Sequence, residues 1–257
     1  MIEKKTPAEI ALMREGGQRL AKILETLLSS AKVGTPLLSL DKQARELIKQ
    51  AGGSPSFPTV AGYQWATCLC VNEVVVHGIP TPYELREGDL LTIDIGMLYQ
   101  GFHTDTAWTK VIQNSKFKIQ NLEEKERFLQ AGREALTKAI AQVKPGNRVG
   151  HISQAIQSTI EKAGFSVVRS LVGHGVGRKL HEEPQVPGFL RGELEKTPLL
   201  LPGMTLAVEI IYAQGSGAIV YENDDGWTLA TRDQTLSAVF EHTVAVTEAG
   251  PLVLTEK

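Results

Sequence analysis

Apolar residues recur with a helical period in some stretches and crowd into short β-rich runs in others. Thr6-Pro7-Ala8-Glu9 has the pattern of a capping box with proline at the first helical position. It opens a predicted helix running to about Ala31, with Ile10, Met13, Leu20, Leu24, Leu27 and Leu28 near one face. A second helix is expected over about Ser39–Gln50, stopped by Gly52-Gly53. Residues 54–80 read as a loop followed by a strand ending near His77-Gly78, and residues 90–112 as a hairpin turning around Tyr99-Gln100-Gly101. A long helix over about Leu122–Val143 is broken by Lys144-Pro145-Gly146, and another spans about Val149–Lys162. The remainder is mostly strands and turns.

The order helix, helix, strands occurs over 6–112 and again over 122–247. The second helices end in similar sequences, "IKQAGG" and "IEKAGF". "EGDLLTIDIG" (87–96) aligns with "PGMTLAVEII" (202–211), which sets Asp94 against Glu209. Nothing between the halves resembles a linker. The expectation is one α+β domain over 1–257, with two halves sharing a curved antiparallel sheet covered by helices on its outer face.

Carboxylates within such apolar strands need partners. In the hairpin, a two-residue turn at Tyr99-Gln100 sets Asp94 opposite Asp105, where like charges repel at close range. Glu209 and Glu241 pose the same problem in the second half, and mirrored halves make the two pairs face each other. No lysine or arginine is adjacent to any of the four. A lone acid here would read as a hydrogen-bonded core residue, but four at related positions call for bound cations, and four acids can hold two divalent ions.

Histidine refines the choice of metal. "LVGHGVGRKLHEEP" carries His174 and His181 in a glycine-rich stretch that excludes a helix, and imidazole beside carboxylates suits Mn, Fe, Co or Zn better than Mg or Ca. His77 ends a strand at "VVVHGIP". His103, His151 and His242 read as ordinary structural histidines.

Composition narrows the class. The 257-residue chain is 42% hydrophobic with a net charge of −2, sufficient for a full core. It has no basic run suited to nucleic acid. No apolar run approaches the roughly 18 residues of a membrane span, and no signal-peptide pattern opens the chain. Cys68 and Cys70, the only cysteines, are too close in one strand to staple distant segments. A reduced, cytoplasmic protein is expected.

The motifs "VNEVVVHGIP", "TIDIG", "FHTDTAWT", "LVGHGVGRKLHEEPQVPG", "PGMTLAVEI" and "DGWTLATRDQTLSAVFEHTVAVT" closely resemble the type I methionine aminopeptidases of the pita-bread fold, peptidase family M24. The resemblance covers essentially the whole chain. It implies metal-dependent removal of the initiator methionine from nascent chains with a small second residue. The implied metal ligands are Asp94, Asp105, His174, Glu209 and Glu241, with Asp105 and Glu241 bridging two ions. A metal-bridging hydroxide would attack, with Glu209 as general base, and the substrate α-amino group would bind one metal. By the same resemblance His77 lies near the scissile amide nitrogen and His181 near its carbonyl. The resemblance also implies a methionine pocket of Phe57, Val60, Tyr63, Cys68, Leu180 and Trp227, and a structural Na or K site at Asn72, Val74 and Ser237.

Three positions depart from the family pattern. Ile210 replaces the usual proline after Glu209, Thr104 stands where glycine is common, and "GYQWATC" (62–68) replaces an aromatic-Pro segment. Nothing before Thr6 resembles a zinc-binding extension, so the bacterial-length form is implied. The family also implies nascent N-termini as partners, and the ribosome as a partner that no basic tail here supports. A monomer is the default. Two alternatives stay open: an Xaa-Pro-type aminopeptidase of the same fold, and a low-activity or non-catalytic peptide-binding paralogue.

Overall fold

The computed structural model describes residues 2–113 and 121–256. Helix α1 spans Pro7–Ser30 and α2 Leu37–Gln50. The capping box forms: Glu9 N donates to Thr6 Oγ1 (3.3 Å) and Thr6 N to Glu9 Oε2 (2.8 Å). Strands β1 (Ser54–Pro55), β2 (Thr67–Val71), β3 (Val74–Val76), β4 (Leu90–Tyr99) and β5 (Phe102–Val111) follow. Helices α3 (Leu122–Ile140) and α4 (Val149–Lys162) open the second half. Next come β6 (Ser166–Val167), β7 (Val172–Gly175), β8 (Glu182–Pro187), β9 (Thr205–Ala213), β10 (Ile219–Tyr221), β11 (Leu229–Thr231), β12 (Ser237–Thr247) and β13 (Gly250–Val253).

A ten-stranded sheet runs continuously through both halves in the order β1-β4-β5-β12-β9-β7-β8, with β2 on β4, β6 on β9 and β13 on β12. Every pairing in it is antiparallel. A small second sheet, β10-β11-β3, stands beside it.

Strand alternation sorts the side chains by face. On β4, Leu91, Ile93 and Ile95 pack against Leu20, Leu24 and Leu27 of α1 and Leu40, Ala44 and Ile48 of α2. On β9 and β12, Val208, Ile210, Tyr212, Phe240 and Val244 pack against α3 and α4 through residues such as Phe128, Ile152 and Ile156. Asp94, Glu209 and Glu241 therefore emerge on the opposite, uncovered face. Close approach of α1 requires Gly17, where an added Cβ would lie 2.3 Å from the Leu254 carbonyl oxygen.

The hairpin differs from the sequence expectation by one step. Its turn is Gln100-Gly101, with φ of 49° and 83°, and two positive φ values are the signature of the tight hairpin turn that matches strand twist. Tyr99 therefore pairs with Phe102, Asp94 faces Ala107, and Asp105 faces Gly96. The two aspartates are diagonal neighbours on one face rather than direct partners. The second-half acids, in contrast, are direct partners: Glu209 pairs with Glu241. Glu241 therefore corresponds to Ala107 rather than to Asp105, and the expected mirroring holds only for Asp94 and Glu209. Residues 54–80 hold the short β1 and then two strands in different sheets, β2 and β3, because Asn72 at φ 55° turns the chain between them. The helices match expectation to within three residues at their ends, α4 at both ends.

Candidate metal centre and binding cleft

Register alone assembles the acids. One row crosses five strands as Cys68, Asp94, Ala107, Glu241 and Glu209. The neighbouring row on the same face joins Gly96 to Asp105, and Thr243 to Ala207 and His174. Thr243 links the two segments: its hydroxyl donates to the Asp105 carbonyl (2.8 Å) and accepts from the Asp105 N–H (2.9 Å). Cross-strand neighbours lie within side-chain reach of each other, so all five expected metal ligands converge. Ala107 between Asp94 and Glu241 keeps the middle of the row free of bulk.

The side-chain geometry agrees. Ligand atoms of Asp105, His174 and Glu241 lie within 4.8 Å of one another, and His174 Nε2 is 3.5 Å from Glu209 Oε1. His174 Nδ1 is 2.7 Å from the Gly175 carbonyl oxygen. With Nδ1 donating there, Nε2 is left as an acceptor on the side of the carboxylates.

Electrostatically the cluster is starved of positive charge. Burial, then the charges of Asp105 and Glu209, push the Asp94 carboxyl well above its usual range. Burial and Asp105 do the same to Glu209, and burial with Asp105, Glu209 and Asp94 to Glu241. Asp105 is pushed up to about 7 by burial, opposed by the Thr106 N–H. The lysine on β5, Lys110, points the other way and donates to the Leu28 and Ala31 carbonyls at the end of α1 (2.9 and 3.1 Å). Asp94 Oδ1 and Glu241 Oε1 are buried without any hydrogen-bond partner. Buried acceptors left unpaired are costly, and a cation between them would satisfy both. The donor set and its orphaned oxygens thus fit divalent metal.

A cleft of about 690 Å³ opens over this face. His77 and His181 line it, with all five expected ligands and all six expected pocket residues. His181 lies edge-on to His174, centroids 4.5 Å apart. Burial pushes the His181 and His77 imidazoles below their usual range, with His181 adding to the effect on His77, and His174 falls to about 4 through burial and His181. His77 has a φ of 57°, a left-handed conformation uncommon outside glycine, and its ring meets Trp227 edge-on at 6.3 Å.

Phe57, Tyr63, Cys68 and Leu180 form one buried apolar cluster, with Val60 and Trp227 packed against it. Tyr63 lies edge-on to Phe57 (6.3 Å) and Trp227 (5.1 Å). Away from the acids, the Ser237 hydroxyl lies 3.1 Å from the Asn72 carbonyl oxygen and 2.9 Å from that of Val74. One hydroxyl proton cannot serve both carbonyls fully, so three oxygens converge there.

The remaining histidines have local partners. His103 Nδ1 is 2.9 Å from Ser56 Oγ, His242 Nδ1 is 2.9 Å from Thr255 Oγ1, and His151 Nδ1 accepts from Arg148 N (2.9 Å). Of the departures, Ile210 is buried on the helix face, away from Glu209. Thr104 is buried with its hydroxyl unpaired. The cleft also includes Glu183 and Gln185, which the sequence reading missed. Their signal was alternation along "HEEPQ", which puts them on the same side of the chain as His181.

Comparison with known proteins gives a consistent result. The profile of metallopeptidase family M24 matches residues 11–248. Methionine aminopeptidase 1 of Bacillus subtilis is 42% identical over 255 residues, covering 99% of each chain. The crystal structure of a methionine aminopeptidase from Thermotoga maritima superposes with a TM-score of 0.93 at 39% identity, covering 100% of both chains. The prolidase of Pyrococcus furiosus superposes with a TM-score of 0.77 at 21% identity, over 99% of this chain and 65% of that one. At that identity the likeness concerns the fold alone, the pita-bread arrangement.

Proposed function

This chain belongs to metallopeptidase family M24, and from that premise we infer that it removes the N-terminal methionine from polypeptides whose second residue is small. The observation that carries the reading is the convergence of four carboxylates and His174 beside an apolar, aromatic-lined pocket. Full-length likeness to methionine aminopeptidases supports the same reaction.

Asp94, Asp105, His174, Glu209 and Glu241 would hold two divalent ions, and Mn, Fe, Co and Zn each suit this ligand set. Bound there, such ions supply Lewis acidity to the scissile carbonyl and make water acidic enough to attack near neutral pH. Glu209 is the general base, holding a proton at its carboxylate and passing it toward the leaving amine. His181 and His77 stay neutral near pH 7, since burial lowers both. They act as hydrogen-bonding groups toward the scissile amide, His181 at the carbonyl and His77 at the nitrogen. The cluster around Tyr63 and Cys68 takes the methionine side chain, whose polarisable thioether suits aromatic edges and a thiol.

Asn72, Val74 and Ser237 would hold one monovalent cation. We read the chain as one domain of two halves, about 6–112 and 122–247, which the continuous sheet supports. We place it in the cytoplasm as a monomer acting on nascent chains, with the ribosome as the family-level partner. No helix among the described residues is long and apolar enough to cross a membrane.

The test is turnover of Met-Ala-Ser, Met-Leu-Ser and Ala-Pro-Ala with Mn, Fe, Co or Zn added. Metal-dependent cleavage of Met-Ala-Ser well above Met-Leu-Ser is expected. Cleavage of Ala-Pro-Ala alone, or of none with any metal, would overturn the reading.

A further inference from the structure

The wall of the pocket that carries Tyr63, residues 60–66, is neither helix nor strand. Its backbone is held by one face of α2. Asp41 is 4% exposed and shares its side of α2 with buried Leu37, Leu40, Ala44 and Ile48. A carboxylate at a position suited to leucine is expensive unless it is paired. Asp41 Oδ1 accepts three hydrogen bonds, from Ala66 N (2.8 Å), Thr67 N (3.0 Å) and Thr67 Oγ1 (2.9 Å). One turn later, Arg45 donates to the Gln64 carbonyl (2.9 Å) and lies 3.7 Å from Asp41 Oδ2. The Thr67 carbonyl in turn accepts from the Tyr63 hydroxyl (2.9 Å).

We propose that Asp41, supported by Arg45, is a positioning residue for P1 specificity: through Thr67 it fixes Tyr63 and Cys68, and so the width of the pocket. The proposal rests on the cleft being a methionine pocket. Asp41 touches no substrate. Its effect is transmitted by backbone: Thr67 is the first residue of β2, Cys68 the next, and Cys68 pairs with Asp94. Tyr63 is the ring between Phe57 and Trp227, so its displacement opens or closes the slot that the side chain enters. Charge-assisted bonds from one carboxylate to three donors hold that slot more firmly than neutral contacts would. A mismatch of about one methylene in an apolar pocket is worth roughly 10–200-fold in discrimination.

The experiment compares manganese-loaded wild type, Asp41→Ala, Asp41→Asn and Arg45→Met on Met-Ala-Ser and Leu-Ala-Ser. Asp41→Ala is expected to raise KM for Met-Ala-Ser about tenfold and to lower the preference for Met over Leu by a similar factor. Its kcat should stay within about threefold, because the acid rows are untouched. Asp41→Asn keeps one acceptor oxygen for the three donors but loses the charge and its attraction to Arg45, so its KM and selectivity should fall between those of wild type and Asp41→Ala. Should Asp41→Ala fail to fold, Arg45→Met carries the test, with KM raised about twofold to threefold at unchanged kcat. Wild-type KM and selectivity in Asp41→Ala, or wild-type KM in Arg45→Met where that variant decides, would overturn the proposal while leaving the reaction intact. A wild type that cleaves neither peptide would overturn the reaction and the proposal together.

Discussion

The ladder β2-β4-β5 and the ladder β7-β9-β12 are built on one plan but carry different chemistry. In register, Asp94 and its partner Ala107 correspond to Glu209 and its partner Glu241. Cys70, paired with Thr92, corresponds to His174, paired with Ala207. Asp105, two residues before Ala107, corresponds to Val239, two before Glu241. The threonines that tie the ladders together obey the same correspondence. Thr243 exchanges hydrogen bonds with the Asp105 backbone, and Thr109 does so with the Val239 backbone (2.8 and 2.9 Å). Only the Asp94/Glu209 pair is acidic in both ladders. Asp105, Glu241 and His174 stand opposite Val239, Ala107 and Cys70. The backbone frame is repeated, and the cation site comes from the places where the side chains break the repeat.

The largest effects should come from the unmatched ligands. Asp105→Ala and Glu241→Ala are each expected to lower turnover of Met-Ala-Ser by more than about a hundredfold, the range that even outer partners of a metal ligand reach. Circular dichroism should show the fold retained. Converting Ala107 to Leu fills the gap that its counterpart Glu241 occupies with a carboxylate. That change should also abolish turnover and destabilise the protein by about 1–3 kcal/mol through overpacking, read by denaturant unfolding.

Much of this comparison was legible in the sequence, and its limits have physical causes. The capping box and apolar spacing located α1, and the acids in "TIDIG" and "LAVEI" announced a site because a buried strand has no cheap way to carry them. The hairpin register was missed by one residue. Tyr99, Gln100 and Gly101 offered two turn positions, and the choice depends on Gln100 accepting a positive φ, which no side-chain pattern announces. The pairing of Glu241 with both Ala107 and Glu209 joins strands far apart in the chain, so it depends on the completed sheet. Asp41 went unnoticed for a different reason: a single acid on a helix reads as solvent-exposed until the loop it holds is seen.

Metal removal gives the pH dependence of the comparison. The carboxyls of Asp94, Asp105, Glu209 and Glu241 are all raised in the folded state without cations, Asp105 to about 7, with neutral His174 and His181 facing them. A raised carboxyl favours the folded state most below its unfolded value, and that advantage is lost as pH rises through the folded value. Chelated protein should therefore lose stability relative to a chelated Asp105→Asn variant as pH rises from about 4 to beyond 7. Manganese should raise Tm more at pH 7.5 than at pH 5.5. Equal Tm shifts at both values would count against the electrostatic account.

The smallest and most discriminating effect separates the two threonines. Thr243→Val and Thr109→Val each remove a buried hydroxyl that serves a neighbouring strand, and each should cost about 1–3 kcal/mol. Only Thr243 holds the backbone of a proposed metal ligand, Asp105, so Thr243→Val alone should lower kcat, by several-fold. A matching loss in Thr109→Val would mean that both ladders serve the centre alike.

The most direct test is anomalous diffraction at the manganese edge from crystals grown with excess manganese. Two peaks are expected on the cleft face of the sheet, both adjoining Asp105 and Glu241, one toward Asp94 and the other toward His174 and Glu209. Density elsewhere, or none at these side chains in protein that still cleaves Met-Ala-Ser, would contradict the account.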